Sequence, residues 1–355
     1  MSPAPARACG IDFGTSNSTV GWLRPGVPAL LPLEDGKPTL PSAVFFNADE
    51  ESTHYGRDAL QEYLEGYEGR LMRALKSLLG SNLMEGSTEV GGRALRYSDL
   101  LASFIGELKR RAEREAGRPF DQAVFGRPVF FVDDNPAADR RAQDTLEHIA
   151  RQVGFREVSF QFEPIGAALH YEASLSREEL VLIADIGGGT ADFSLVRLSP
   201  ERARHVDRHS DLLGNAGLHV GGTDFDRALS LECVMPLLGH KGLMKSGAAI
   251  PSGLFFQLAT WHTINFAYTR QAFADFQHIY RDATAKRELD RLARLIGQRE
   301  GHWLALQVEQ AKIELSAGAS TRLQLDRLEP GLGHDIGRED FAQATHSLVE
   351  RVART

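Results

Sequence analysis

The chain has little of several features that would mark a specialised class of protein. Only two of its 355 residues are cysteines, Cys9 and Cys233, and their wide separation excludes a disulfide framework and a clustered thiolate metal site. No apolar run approaches the length of a membrane span, and residues 1–8 lack the apolar core of a signal peptide. These absences predict a protein of the reducing cytoplasm without a membrane partner.

A basic excess is also missing. The formal net charge is −8, and the arginines are interleaved with acidic residues, as over 110–115, which is typical of the solvated face of a helix. We therefore expect no nucleic-acid partner. The length of 355 residues and the hydrophobic content of 42% indicate an ordinary globular protein with two lobes.

Glycine, by contrast, is concentrated at two similar turns. Residues 11–17 read Ile-Asp-Phe-Gly-Thr-Ser-Asn, and residues 185–192 read Asp-Ile-Gly-Gly-Gly-Thr-Ala-Asp after an apolar strand at 180–184. Glycine lets phosphate oxygens approach backbone amides, and an aspartate beside bound phosphate can hold magnesium through water. The duplication predicts a site that clamps one polyphosphate and its metal ion from two sides.

Plainer interpretations stay open for each motif. The first turn is equally typical of an ordinary hairpin with a capping aspartate, and a flexible linker is the alternative for the second turn. Gly221 and Gly222 suit a phosphate at a helix start, or a helix that is simply capped at the next residues. Glu163 fits the N-terminus of a helix. By composition alone, Lys76 is a surface lysine.

Hydrophobic periodicity predicts an α/β chain with a weak internal repeat, in which a strand, a glycine turn and a second strand occur twice. Ser98 is a candidate N-cap and Gly117 a candidate stop for one helix. The predicted strands lie in a hairpin at 7–22 and at 30–33, 40–46, 122–131, 158–162, 180–184, 192–198 and 203–213. The predicted helices cover 56–79, 97–116, 137–153, 163–171, 221–238, 288–296, 302–315 and 341–352.

Seven of these motifs, in one order, resemble the nucleotide-binding domain of the seventy-kilodalton heat-shock chaperones, the DnaK type. The sequences at 126–128 and 162–164 look closest to the short YegD-like group, which carries the ATPase domain and lacks the peptide-binding domain. The matching segments are 10–18, 76–80, 126–128, 163–168, 185–192, 221–226 and 309–316.

The resemblance implies an actin-like ATPase fold of two lobes, each built on a ribonuclease-H-like mixed sheet, that binds ATP or ADP with Mg²⁺. Lobe I would cover 1–176, with its core at 1–37 and 95–176 and a small inserted subdomain at about 38–94. Lobe II would cover 177–355, with its core at 177–226 and about 330–355 and a helical subdomain inserted at about 227–329.

The resemblance also implies roles for individual residues. Asp12 and Asp185 would lie near Mg²⁺, and Lys76 would reach the γ-phosphate and orient the attacking water. Glu163 and Asp192 would complete the polar network, with Thr190 bonded to the γ-phosphate. The other nucleotide contacts would come from Gly14, Thr15, Ser16, Asn17, Gly187, Gly188 and Gly189 for the phosphates, Gly221 and Gly222 for the α/β-phosphates and ribose, and Glu309, Lys312 and Ser316 for adenosine.

Three departures from the family pattern change the expectations. Ile313 stands where many relatives have an arginine that stacks on adenine, so adenine would rest on an aliphatic face. No second adenosine loop follows the helix at 341–352, from which we expect a fragment with an incomplete second lobe. No peptide-binding domain follows either, so we expect co-chaperones or nucleotide-exchange factors as partners rather than direct peptide clients.

The leading hypothesis is a slow Mg²⁺-dependent ATPase of the heat-shock type, with lobe closure as its output. The alternative is a nucleotide-sensing binding module without significant turnover. A sugar kinase of the same superfold would need a catalytic aspartate beside a sugar pocket, and no convincing candidate is found. Nothing in the sequence suggests a filament-forming actin relative, and the fold alone does not choose among these activities.

Overall fold

A computed structural model describes residues 8–205 and 209–355. The chain divides into two compact units, the first ending at Gly221 and the second running from Gly222 to Arg354. The division into lobes at 176/177 stays a prediction. The predictions for residues 1–7, which include the absent signal peptide and the start of the hairpin, lie outside the described residues, as does the part of the predicted third strand at 206–208.

The first unit is a mixed α/β structure. Its helices are α1 (Arg57–Glu65), α2 (Tyr97–Ala116), α3 (Pro136–Gln152) and α4 (Glu163–Glu172). Its strands are β1 (Ala8–Phe13), β2 (Asn17–Gly21), β3 (Thr39–Pro41), β4 (Ala43–Asn47), β5 (Ser52–Tyr55), β6 (Gly69–Arg73), β7 (Ser87–Val90), β8 (Arg93–Arg96), β9 (Gln122–Arg127), β10 (Glu157–Phe162), β11 (Glu179–Ile186), β12 (Ala191–Leu198) and β13 (Leu212–Leu218).

One sheet of five strands, in the order β10-β9-β1-β2-β3, forms the base of this unit. Strands β10, β9 and β1 are parallel, whereas β2 and β3 are added antiparallel. Because successive side chains of a strand point to opposite faces, Ile11 and Phe13 of β1 are buried while Asp12 between them is exposed. The ring of Phe13 packs against Phe104 of α2 with centroids 5.9 Å apart.

A second sheet, β11-β12-β13, repeats the opening hairpin, which confirms the predicted internal repeat. In the first hairpin Asp12 is paired with Thr19, and in the second Asp185 is paired with Asp192. In both hairpins the aspartate is the penultimate residue of the first strand. The duplicated geometry therefore presents an aspartate at the same position of each turn.

The region between β3 and α2 carries two small sheets, β5-β4-β6 and β7-β8, with α1 packed on the first. The helix predicted over 56–79 is wrong beyond Glu65, because β6 pairs there with β4, with Ala43 opposite Arg73. Of the strand predicted at 30–33, only an isolated bridge between Gly21 and Leu30 forms.

Other element boundaries also differ from the predictions. The third strand of the second sheet lies at Leu212–Leu218 rather than at 203–213. Helix α2 begins at Tyr97, so its N-cap position is Arg96 and not Ser98. Gly117 ends that helix in a left-handed conformation with φ 65°, as predicted.

The second unit is mainly helical. Two antiparallel strands that the sequence did not predict join its last two helices. Its helices are α5 (Gly222–Leu229), α6 (Gly253–Leu258), α7 (Arg270–Asp282), α8 (Lys286–Gly297), α9 (Gly301–Ala317) and α10 (Arg338–Arg354), and its strands are β14 (Ser320–Gln324) and β15 (Gly333–Gly337). Among the described residues, no helix has both the length and the apolar character required to cross a bilayer.

The segment between β3 and α2 is called the small inserted region below. Gly56 provides a test of packing in it. It has φ 72°, and a Cβ there would lie 2.7 Å from Oε1 of Glu34, a carboxylate that is held by Arg57 and Arg111. Gly66 is also left-handed, with φ 93°, but a Cβ there meets no heavy atom within 4 Å. We expect Gly66→Ala to lower the free energy of unfolding by about 1–2 kcal/mol through backbone strain alone.

Gly56→Ala should cost a further ~1–3 kcal/mol, because the new methyl group displaces packed neighbours. Denaturant unfolding of both variants measures the difference. Equal losses for the two variants would contradict the packing argument.

Candidate functional site

The two glycine turns of the first unit touch each other. A Cβ on Gly188 would overlap Oγ of Ser16, and a Cβ on Gly189 would lie 2.6 Å from Oγ1 of Thr15. Any side chain at these glycines would therefore collide with the hydroxyls of the opposite turn. The contact brings the backbone amides of both turns and two hydroxyl groups to one place.

A third backbone segment packs on the same turns. A Cβ on Gly221 would lie 2.5 Å from the carbonyl carbon of Gly188 and would overlap the amide nitrogen of Gly189. Helix α5 begins at the following residue, Gly222. Three backbone segments thus converge, with no room for a side chain at Gly188, Gly189 or Gly221. Closely packed glycine backbone of this kind can bind phosphate groups.

Lys76 and Glu163 form an ion pair beside this cradle. The Nζ of Lys76 lies 2.6 Å from Oε1 of Glu163, and the lysine side chain is only 8% exposed. Ala74, two residues before Lys76, is a non-glycine residue in the left-handed region, with φ 57°. This conformation turns the chain out of β6. Composition indicated a surface lysine, and the buried position agrees instead with the family resemblance.

Asp12 belongs to the same charge cluster. It keeps access to solvent although many protein atoms surround it. Desolvation, and then the negative charges of Glu163 and Asp185, raise its pKa to about 6, although Lys76 acts in the opposite direction. Desolvation followed by the charge of Glu163 also raises the pKa of Asp185.

Asp192 is the buried member of the cluster. Its Oδ1 accepts a hydrogen bond from the backbone N–H of Val129 at 2.5 Å. Burial raises its pKa to about 6, although that hydrogen bond and one from the side chain of Thr190 favour the charged form. Gly217 of β13 makes room for the carboxylate, since a Cβ there would lie 2.8 Å from Oδ1.

The composition of the cluster fits a divalent cation with phosphates. Four carboxylates, those of Asp12, Glu163, Asp185 and Asp192, interact with one lysine, so negative charge is in excess. Carboxylate and hydroxyl oxygens are the ligands that Mg²⁺ prefers, often through water. The adjoining glycine backbone offers donors to anions. The predicted phosphate and metal residues of the first unit are therefore brought together in one place.

Ser42 is a contributor that the sequence did not reveal. Its Oγ donates to the carbonyl oxygen of Gly14 at 2.7 Å, and its N–H donates to the carbonyl oxygen of Ser16 at 2.9 Å. The residue is fully buried, and its hydroxyl also lies 2.9 Å from that of Ser18. The partners of Ser42 are Gly14 and Ser16, which are distant in sequence. For this reason nothing in the local sequence marks Ser42 as the support of the first glycine turn.

In the second unit, the three predicted adenosine residues share one side of α9. The Nζ of Lys312 lies 2.6 Å from Oδ1 of Asp226 and donates to the carbonyl oxygen of Gly222 at 3.1 Å. Ser316 is exposed, and its Oγ donates to the carbonyl oxygen of Lys312. Glu309 is half-buried and adds to the burial effect that raises the pKa of Asp226. Lys312 thus links α9 to the start of α5.

These features define an α/β protein in which a duplicated hairpin brings two aspartates and two glycine turns together. The family model described as Hsp70 protein matches residues 8–239, which is well over half of the chain. The chain belongs to the Hsp70 family. Membership implies the actin-like ATPase fold, with which the mixed α/β structure agrees, and it indicates an ATP-binding, chaperone-type function.

Gly221 allows a test of the backbone cradle. Gly221→Ala should displace the turn at 187–189, since the added methyl group meets backbone atoms that cannot move aside. Gly214→Ala on β13 is the control, because a Cβ there would meet no heavy atom within 4 Å. We expect calorimetric titration with Mg²⁺-ATP to show at least about tenfold weaker binding for Gly221→Ala alone, equivalent to ~1.4 kcal/mol.

If both variants bind equally well, the contact between the turns is not required for the cradle. Circular dichroism spectra of the two variants should match that of the wild type, so that a loss of binding is not a loss of fold.

Asp192 predicts a pH dependence of stability. Because its pKa is raised on folding, the folded state holds the proton more tightly than the unfolded state does. The carboxyl group therefore favours folding below about pH 4, and this contribution is lost as the pH rises through about 6. Asp192→Asn keeps the Oδ1 acceptor without the charge.

Without Mg²⁺ and nucleotide, the variant and the wild type should unfold with similar free energies near pH 4. The variant should be more stable by about 1–3 kcal/mol near pH 7.5. Urea unfolding across this range makes the measurement, with Asp275→Asn on the exposed side of α7 as the control. A difference that does not change with pH would contradict the assignment.

Proposed function

We propose that this chain is a slow Mg²⁺-dependent ATPase of the heat-shock chaperone type, with closure of the predicted lobes on nucleotide as its output. One observation carries the proposal. The ammonium group of Lys76 is buried against Glu163, among the carboxylates of Asp12, Asp185 and Asp192 and beside converging glycine turns. Phosphoryl transfer needs this combination of positive charge, cation ligands and backbone donors.

In this proposal the glycine segments hold the phosphates. Backbone N–H groups of 14–17 and 187–190 bind phosphate oxygens, with the hydroxyls of Thr15 and Thr190 as further donors, while Gly221 and Gly222 approach from the third side. Asp12 and Asp185 would hold Mg²⁺ through water, and the bound ion would neutralise charge on the transferring phosphoryl group.

Lys76 supplies the second positive charge and orients the attacking water. Glu163 fixes the lysine side chain, so the ammonium group is already in position before the reaction. Asp192 has a pKa near 6, which suits a group that accepts a hydrogen bond from water and takes up a proton near neutral pH. Catalysis then rests on positioning and electrostatics rather than on a covalent intermediate.

A nucleotide-sensing module without significant turnover is the second candidate, and Ile313 favours it. This side chain is 55% exposed on α9, near Lys312 and Ser316 in sequence, and offers adenine an aliphatic surface instead of a guanidinium group. We propose Glu309, Lys312 and Ser316 as the adenosine ligands and expect weaker nucleotide affinity than in relatives that stack an arginine on adenine.

The grouping with short YegD-like proteins, the cytoplasmic location and the co-chaperone or exchange-factor partners remain predictions.

Lys76→Ala distinguishes the two candidates. Under the ATPase proposal, removing the buried ammonium group should lower the rate of phosphate release by about 10²-fold or more, while Mg²⁺-ATP still binds. Lys109→Ala is the matched control, since Lys109 pairs with Glu113 at 2.7 Å and is also mostly buried, but lies on α2. Phosphate release and calorimetric titration should be measured on the same preparations.

Nucleotide binding with no phosphate release above the Lys76→Ala level would support the sensing module. Failure of the wild-type chain to bind either Mg²⁺-ATP or Mg²⁺-ADP would contradict both candidates.

A further inference from the structure

The small inserted region carries a second cluster of ligand-type side chains. Glu50, in the turn between β4 and β5, His54 on β5 and Glu62 on α1 place one ligand atom each within 4.8 Å of one another. Among the described residues, this is the one group of three or more histidine, cysteine or acidic side chains with such spacing. These residues are separate from the acidic cluster around Lys76 and have no role in the function proposed above.

The histidine ring is oriented by its neighbours. Its Nδ1 lies 2.7 Å from Oδ2 of Asp58, and its Nε2 lies 2.8 Å from Oγ of Ser52. An ionised carboxylate only accepts hydrogen bonds, so Nδ1 donates to Asp58, and Nε2 accepts from the hydroxyl of Ser52, which must turn away when a metal ion binds. Histidines that bind metal ions commonly donate one ring N–H to a carboxylate in this way and use the other nitrogen as the ligand.

A buried asparagine helps to position both glutamates. Asn47 is buried, and its Nδ2 donates to Oε2 of Glu62 at 2.7 Å. The Oδ1 of the same side chain accepts hydrogen bonds from the N–H groups of Asp49 and Glu50, at 2.9 and 3.0 Å. One buried amide therefore fixes both the glutamate on α1 and the turn that carries the other glutamate.

Local electrostatics favour a cation here. Oε2 of Glu62 lies 3.9 Å from Nε2 of His54. The negative charge of Glu50, followed by those of Glu62 and Glu65, raises the pKa of the nearby Tyr67. Carboxylates thus surround the imidazole of His54.

We propose that Glu50, His54 and Glu62 form a binding site for Zn²⁺, with the fourth coordination position open to water. Imidazole nitrogen and carboxylate oxygen are both zinc ligands, whereas Ca²⁺ and Mg²⁺ sites use more ligands, chiefly oxygens. Bonds of about 2.0–2.1 Å in a tetrahedral site place ligand atoms about 3.3 Å apart. Closing the present spacing needs only a small movement, and exposed Glu50 is free to make it.

Calorimetric titration of the metal-free full chain with ZnCl₂, in buffer containing excess Mg²⁺, tests the proposal. The Mg²⁺ occupies sites made only of oxygen ligands. We expect one Zn²⁺ site that is lost or weakened at least tenfold in His54→Ala and in Glu50→Gln. Asp58→Asn should weaken binding by about 10–100-fold, because it removes the group that orients the ring.

His346→Ala is the matched control. His346 lies 3.3 Å from Glu350 on exposed α10, so it offers a histidine–glutamate pair without a third ligand. Glu50 is an exposed turn residue, so Glu50→Gln should unfold at the wild-type temperature without zinc. Zinc should raise the melting temperature of the wild type but not of Glu50→Gln.

Co²⁺ gives an independent signal. The wild type should show the visible absorption of tetrahedral Co²⁺, and His54→Ala should not. A zinc site that persists unchanged in both His54→Ala and Glu50→Gln, or a wild-type chain with no such site, would overturn the proposal.

Discussion

The first unit depends on one buried ammonium group that faces an excess of carboxylates. Lys76 neutralises part of this charge through Glu163, but Asp12, Asp185 and Asp192 keep pKa values above the usual range because they are desolvated and close to like charge. Such a cluster is unfavourable in isolation and becomes favourable when a cation is added. Apolar packing elsewhere in the unit must offset the difference, and the aromatic core around β1 and α2 provides it.

Duplication explains how this cluster is assembled from simple elements. In β1 the alternate residues Ile11 and Phe13 are buried and Asp12 between them faces away from the core, whereas in β11 Asp185 is half-buried between two exposed residues. The second turn lacks side chains where the first turn approaches, because Gly188 and Gly189 lie against the hydroxyls of Ser16 and Thr15. Two similar hairpins therefore meet through glycine backbone on one side and short hydroxyl side chains on the other.

The parts of this structure that the sequence predicted are those governed by local chemistry. Three successive glycines after an apolar strand predicted a turn whose backbone approaches a phosphate, and the structure adds that Gly188 packs against Ser16 of the first turn. The missed parts depend on distant partners. Strand β6 has no alternating hydrophobic pattern, and its pairing with β4 specifies it. Strand β13 contains glycines, which are typical of a loop, but Gly217 is needed there because the carboxylate of Asp192 occupies the space of a side chain. Burial of Lys76 followed only from the family resemblance, because its carboxylate partner is 87 residues away.

Ser42 has a consequence for engineering the fold. It stands at the entrance to the small inserted region and supports the first glycine turn, and the same region supplies Lys76 at its far side. The insertion is therefore not an interchangeable module attached to a finished scaffold. A chimera that takes this region from a relative must therefore contain both a hydroxyl residue in place of Ser42 and an amine in place of Lys76. The hydroxyl must also fit the first glycine turn of the recipient protein.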